Sequence, residues 1–354
     1  MQHASARARR ASPCRPRTIA FGLVALGLAG GALPTSAQDM TNQLEASVRL
    51  GMELETEPDT SIAFQDFGSR LRWNGEKRID DTLVGIGYLE FGFDQDDGVD
   101  NTRYAYVGLA GDFGTVTGGK QYRAFYDTVT SVVDVAYVGS CGFEISCART
   151  KGVIKYERAL GPGLRVVGST TLIDEDDGDD FLDEIDVGAI AEVGDISVGG
   201  AITISQGTDA ALPDDVDPVD RIDLAARGTG TGVALGVSAA TELREDLTVS
   251  ATAQFATDDY LGSDDPGFAL TAAAVAERFY GIFSLADFES PGAGDVTPFF
   301  GTLGYEYPID DDSLIYAELQ GVETDLPDSD FEIVARAVYV YNFGAVSMAP
   351  SRDR

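Results

Sequence analysis

The chain is predicted to be all-β, a transmembrane antiparallel β-barrel of about 16 strands with a long third loop folded into the lumen. Three observations predict it. Short segments alternate apolar and polar residues with a period of two, as strands between lipid and water require. Turn-forming clusters separate them in a series of short and long connections. After residue 37 no apolar run approaches the roughly 20 residues that a membrane helix needs. In lipid every backbone N–H and C=O must find a partner within the protein, so a membrane chain without helical spans must close into a barrel.

Residues 1–37 read as a targeting segment outside the fold. Arg7, Arg9, Arg10, Arg15 and Arg17 precede an uncharged apolar stretch at 19–33, followed by Thr35, Ser36 and Ala37, small residues suited to signal-peptidase cleavage. The stretch is too short and glycine-rich for an anchor, and Cys14 lies upstream of it, where a lipid-bearing cysteine does not belong. The barrel is assigned to residues 38–343, and 344–354 form a C-terminal extension.

The whole chain carries a formal charge of −34, and the targeting segment holds no acid, so the exported part is more acidic still. Nucleic acid is excluded as a natural partner, because phosphate binding needs a basic face. The only histidine, His3, lies in the targeting segment. No serine motif stands out either, so the common hydrolase nucleophile–base pairs are missing and no enzymatic activity is expected.

The clearest strand runs over 331–343. Phe331, Ile333, Ala335, Ala337, Tyr339, Tyr341 and Phe343 share one face; Glu332, Arg336 and Asn342 lie on the other. Aromatic residues toward the strand end suit a membrane-interface girdle. Before it, Ile315, Ala317 and Leu319 oppose Glu318 and Gln320. Arg70 and Arg72 alternate with Leu71 and Trp73, Tyr104 and Tyr106 oppose Arg103 and Ala105, and Arg149, Lys151, Lys155 and Glu157 oppose Ile154 and Tyr156. Several faces carrying cations in the same sense predict a polar lumen.

Tight turns are expected at 111–112, 160–163, 194–195, 244–246 and 308–313. Acidic, Gly/Pro-containing loops are expected at 94–100, 174–183, 207–220, 258–267, 290–297 and 322–330. Residues 221–241 are read as one long strand with a loop extension, in preference to a hairpin around 229–231. The connection at 121–148 breaks the series: it is long, apolar (Val129, Val132, Val133, Val135, Val138) and carries Cys141 and Cys147. A cysteine pair this close in an exported chain reads as a disulfide. An apolar, cross-linked loop is expected to fold inward against the barrel wall.

The runs Phe67-Gly-Ser-Arg-Leu-Arg-Trp-Asn-Gly-Glu76, Asn101-Thr-Arg-Tyr-Ala-Tyr-Val-Gly-Leu109 and Gly111-Asp-Phe-Gly-Thr-Val-Thr-Gly-Gly-Lys120 resemble the early strands of Gram-negative general porins. The similarity continues through Phe125-Tyr-Asp127, 149–156 and the aromatic-ended strand closing at Phe343. It is strong in sequence over 67–157 and 331–343, and elsewhere is a likeness of architecture.

The resemblance implies an outer-membrane homotrimer of 16-stranded barrels, each a water-filled channel for passive diffusion of small hydrophilic solutes and ions. It also implies a third loop forming an eyelet, with wall cations facing loop acids. By motif the wall cations are Arg70, Arg103, Lys120 and Arg149, and the loop acids are Asp127, Asp134 and Glu144. Arg72, Lys151 and Lys155 are expected to be other lumen-facing groups. The loop lacks the family's Pro-Glu-Phe-Gly-Gly turn, which the cysteine staple is expected to replace. The chain also departs from the family in continuing for residues 344–354 past the terminal aromatic.

Acidic loops raise local cation concentration, so weak cation selectivity is expected. Lipid and lipopolysaccharide are the expected surroundings and no cofactor is expected. The acidic run at 174–180 suits weak Ca²⁺ binding, but setting Gly178 as the glycine of an EF-hand puts Ile173 at the first ligand position, so that motif fails. Two other readings stay open. One is a substrate-specific channel using Tyr122, Phe125, Tyr126 and Tyr137 as an aromatic slide. The other is a non-conducting structural or adhesive barrel with a filled interior.

Overall fold

The computed structural model describes residues 40–56, 60–94, 98–138, 143–172, 184–206, 231–261, 265–290, 294–325 and 331–344. The targeting segment, Cys141, the acidic run at 174–180 and the extension beyond Gly344 lie outside them.

The strand segments are β1 (Met40–Glu55), β2 (Ser61–Asp66), β3 (Ser69–Arg78), β4 (Leu83–Asp94), β5 (Gly98–Gly111), β6 (Gly114–Gln121), β7 (Thr150–Gly161), β8 (Leu164–Thr171) and β9 (Glu184–Val193). They continue as β10 (Ile196–Gln206), β11 (Thr231–Arg244), β12 (Leu247–Ala256), β13 (Gly267–Ala276), β14 (Phe279–Ser290), β15 (Gly294–Val296), β16 (Phe299–Pro308), β17 (Ser313–Glu323) and β18 (Glu332–Gly344). Two staves are broken in the middle. β2 and β3 both pair with β1, and β15 and β16 both pair with β14, so the segments form 16 staves. Each stave is antiparallel to the next, and β1 closes the cylinder on β18 from Glu45↔Gly344 to Glu55↔Val334. The stretch 231–244 is a single strand; residues 221–230 lie outside the described ones.

Alternation separates the two faces. Leu303 is 68 % exposed on the outside, whereas its neighbour Thr302 faces inward and is fully buried. Ile333, Tyr339, Tyr341 and Phe343 are exposed on the outer face of β18, as its pattern predicts. The inner face of the same strand is less polar than expected. Val334, Val338 and Val340 are buried there, and Val338 and Val340 cluster with Phe67, Leu314 and Tyr316.

The third loop covers that apolar inner wall. Tyr137 and Val138 pack on this cluster, and Val133 and Phe143 pack on inward residues of β13, β14, β16 and β17, including Ala269, Ile282, Phe300 and Val322. Within the loop, α1 (Ala124–Thr128) and a 3-10 turn (Thr130–Val132) lie along β8 to β12. Hydrogen bonds fix the path. The Ala124 amide donates to Ser169 Oγ at 2.8 Å, Ser238 Oγ donates to the Thr128 carbonyl at 2.9 Å, and Ser250 Oγ donates to the Val132 carbonyl at 2.7 Å. The Tyr137 amide donates to Glu318 Oε1 at 2.8 Å and the Ile145 amide to Gln254 Oε1 at 2.8 Å.

The close approach of α1 depends on wall glycines. A Cβ on Gly199 would collide with the Thr128 carbonyl oxygen, and one on Gly236 would come 2.6 Å from the Phe125 ring. Gly236→Leu is therefore expected to lift the loop from the wall at a cost of about 1–3 kcal/mol, the usual range for overpacking. The check is limited proteolysis of the detergent-folded protein: cleavage within 122–138 should accelerate while heat-dependent gel migration, a barrel property, stays native.

Candidate functional site: a charged wall facing the inward loop

With the loop packed chiefly against β8 to β18, the inner wall of β1 to β7 carries most of the cations. The β2–β3 break organises the first of them. Asp66 Oδ1 accepts hydrogen bonds from the Gly68 and Ser69 amides at 2.8 and 2.7 Å, holding Gly68 at φ +81°, a left-handed conformation that glycine tolerates. The Gly68 carbonyl then accepts from Arg70 Nε at 3.0 Å.

Arg70, Arg72 and Arg103 converge on a single carboxylate. Glu90 lies directly across from Arg72 on β4 and is 2 % exposed. It accepts from Arg72 Nε and Arg103 Nε, both at 2.6 Å, and Arg70 Nη1 stands 3.8 Å away. A buried carboxylate is tolerable only when paired and hydrogen-bonded, and three guanidinium groups provide this. Arg49 adds a fourth cation, donating to Ser47 Oγ at 3.2 Å and lying 5.7 Å from the Tyr137 ring of the loop. The sequence reading missed both Glu90 and Arg49. The available signals were Glu90 on the parity of Tyr88, and Ser47, Arg49 and Glu53 alternating with Val48, Leu50 and Met52.

Alternation alone misassigns β5. Tyr104 and Tyr106, expected to oppose Arg103, face inward with Glu90 and Tyr88, their cross-strand partners. Arg103 reaches Glu90 because the register slips: Glu90 pairs with Tyr104 but Phe91 pairs with Thr102, leaving Arg103 as the extra residue of a bulge. Lys120 pairs with Ala105, on the parity opposite to Tyr104 and Tyr106, and its electrostatic neighbours are Arg149, Lys151 and Arg103. Lys151 is exposed. Arg149 is wedged between the rings of Tyr104 and Tyr122, its guanidinium carbon 4.5 and 4.4 Å from their centroids. That geometry is a double cation–π contact.

The loop acids are divided. Asp127 Oδ2 pairs with Lys155 Nζ at 2.6 Å, and that ammonium also donates to the Tyr122 carbonyl at 3.0 Å. Burial raises the Asp127 carboxyl above its ordinary range, and Lys155 opposes the rise. Asp134 accepts a hydrogen bond from Tyr126 within the loop.

Glu144, expected among the acids of the constriction, is instead 1 % exposed and turned toward the wall, between Thr130 of the loop and Thr252 of β12. It accepts from Thr252 Oγ1 at 2.8 Å and Thr130 Oγ1 at 3.3 Å. Phe143 and Ile145 beside it pack into wall clusters and draw its side chain toward β12. Arg123, also missed, clamps the loop root: its Nη1 lies 2.5 Å from Glu184 and 3.5 Å from Asp186. Burial would lower its pKa, but the two carboxylates outweigh this and hold it above the ordinary arginine value. Cys147 is disulfide-bonded; its expected partner Cys141 lies outside the described residues.

Of the aromatic residues expected to form a slide, Tyr122, Phe125 and Tyr126 are buried, with Tyr122 and Tyr126 stacked at 3.5 Å, and Tyr137 stacks on Tyr316 at 4.3 Å. They pack the loop.

A closed 16-stave cylinder, apolar outside and ionic within, with a loop docked across its interior, has the architecture of an outer-membrane pore protein. The sequence profile of the Gram-negative porins matches residues 22–346, and the chain belongs to that family. It is 35 % identical over 127 residues to outer membrane protein U of Vibrio vulnificus, covering 33 % of this chain and 37 % of the relative. It is also 35 % identical over 124 residues to the major outer membrane protein P.IB of Neisseria sicca, covering 31 % of this chain and 33 % of that one. The chain thus spans about a third of the length of the curated relatives it matches. Among solved structures, its fold is similar to an anion-selective porin from Comamonas acidovorans (TM-score 0.68, 15 % identity, 86 % of this chain and 100 % of that one). OmpF of Salmonella typhi is similar too (TM-score 0.65, 17 % identity, 86 % and 97 %).

Burial raises the Glu144 pKa from 4.5 to about 7 against the pull of hydroxyl donors from Thr271, Thr252 and Thr130. The docked loop therefore binds a proton that an undocked, solvated Glu144 releases. Its contribution to docking is full below the ordinary glutamate pKa and is lost as pH rises through about 7. In between, the docking equilibrium should weaken by up to about tenfold per pH unit. Protection factors of the loop amides, taken relative to the intrinsic base-catalysed exchange rate at each pH, should fall between pH 5 and pH 8, and Glu144→Gln should remove that fall.

Proposed function

We propose that the protein is a water-filled outer-membrane channel for passive diffusion of small hydrophilic solutes and ions, weakly cation-selective and assembled as a homotrimer. One observation carries the reading: the loop packs on the apolar part of the inner wall, while the arginines gathered around Glu90 on the opposite wall keep part of their surface exposed. The outer-membrane names of the relatives support the location, and the trimer form of OmpT from Vibrio cholerae supports the assembly. The latter has a similar fold, with TM-score 0.62 at 18 % identity over 86 % of this chain and all of that one. Cleavage after residue 37, a Cys141–Cys147 disulfide stiffening the loop, and the lack of enzymatic activity or cofactor complete the proposal.

The selectivity follows from the balance of charge. Glu90 offsets one of the three charges of Arg70, Arg72 and Arg103, and Lys155 and Asp127 offset each other, so the inner wall keeps a cationic excess. That excess sits within a chain of net charge −34, more negative still without its targeting segment, and acidic surroundings that outweigh it concentrate cations modestly. Purified protein in planar bilayers should give stable ohmic steps, with a reversal potential in a KCl gradient that favours K⁺. A protein that inserts without conducting would support the filled-barrel alternative. Glu90→Gln removes the shared carboxylate and should move the reversal potential toward Cl⁻. A native preference for Cl⁻ would overturn the selectivity.

A further inference from the structure

On the short-turn side of the third loop, the inner wall of β4 to β7 holds a recess of about 270 Å³ that the arginine–glutamate network does not occupy. One side is aromatic. Tyr106 lines the recess and stacks on Tyr88 at 5.5 Å, and Tyr104 meets Tyr88 edge-on at 5.4 Å. The Tyr88 hydroxyl donates to Glu90 Oε2 at 3.1 Å, which fixes the stack to the ionic wall. The polar side carries Thr115, Thr117, Gln121, Asp127, Lys155 and Glu157; Lys155 pairs with Asp127 at 2.6 Å, and Glu157 pairs at 3.2 Å with Arg165, which stands outside the lining.

We propose that this recess is a weak binding subsite for a neutral pyranose sugar in transit. The inference rests on the channel reading above and names a solute class for it. Aromatic faces attract the C–H face of a ring, while hydroxyl, amide and carboxylate groups meet its hydroxyl rim. Each charged group on the polar side already has an opposite charge, so a charged ligand would have to break a pair, whereas a polyol accepts and donates beside both. The volume lies just below the roughly 300–1,000 Å³ of sites for drug-sized ligands, which suits one sugar ring. Weak, local binding is also what conduction tolerates, since a solute must leave as readily as it enters.

The test is ion current through the native protein in planar bilayers, titrated with methyl glucopyranoside and, separately, with an open-chain hexitol that offers hydroxyls without a ring face. Saturable reduction of the current by the pyranoside, with only the linear, viscosity-type fall for the hexitol, is expected. Tyr106→Ala should weaken the pyranoside effect about fivefold, the scale of one aromatic contact, and Tyr106→Phe should retain it. Equal effects of the two polyols, or an unchanged pyranoside titration in Tyr106→Ala, overturn the subsite while leaving the channel intact. Absence of current without any sugar overturns the channel reading itself, and the subsite with it.

Discussion

Pairing of the backbone around a closed ring is the constraint on which the rest of this structure depends. In hydrocarbon an unpaired N–H or C=O costs several kcal/mol, so β1 must meet β18 and no edge can remain. Closure in turn fixes each side chain on one of two faces. It is the reason that exposed Leu303 and buried Thr302 can sit side by side in sequence. Where the inner face is itself apolar, as at Val338 and Val340, something other than water must cover it, and the third loop does so.

The charged wall follows from the same logic. Arginines placed along the inward parity repel one another, and the protein answers with one shared carboxylate on the neighbouring strand rather than with separate partners. Bulges do the fine placement. By inserting Arg103 as an extra residue, β5 presents an arginine and a tyrosine consecutively to the same side, which a regular strand cannot do. The aromatic strip and the ionic network thereby become neighbours, joined by the Tyr88–Glu90 hydrogen bond.

The barrel was legible in the sequence because its signal repeats. Each stave restates the period-two pattern, and tight turns such as those at 111–112 and 194–195 fall where glycine and aspartate mark them. The inward loop was legible for a related reason, since valines at 129, 133 and 135 make little sense in solvent. The site was less so. Glu90 becomes a partner of Arg72 only through the register between β3 and β4, and a lone acid on a strand carries no local mark of it. The inversion at Arg103 rests on a slip of one residue that composition does not announce. Glu144 shows the opposite limit: its charge suggested water, yet the packing of its neighbours in three dimensions decided which way it turned.

The anchors of the third loop have a temporal consequence. Ser169, Ser238, Ser250 and Glu318, which bind its backbone, belong to staves spread over half of the chain, and the last of them lies 181 residues from the amide it holds. No stretch of nascent polypeptide contains the complete dock. The loop can settle only after distant staves have come together around it, so seating it is a late step of assembly, and the passage takes its final bore once the wall already exists.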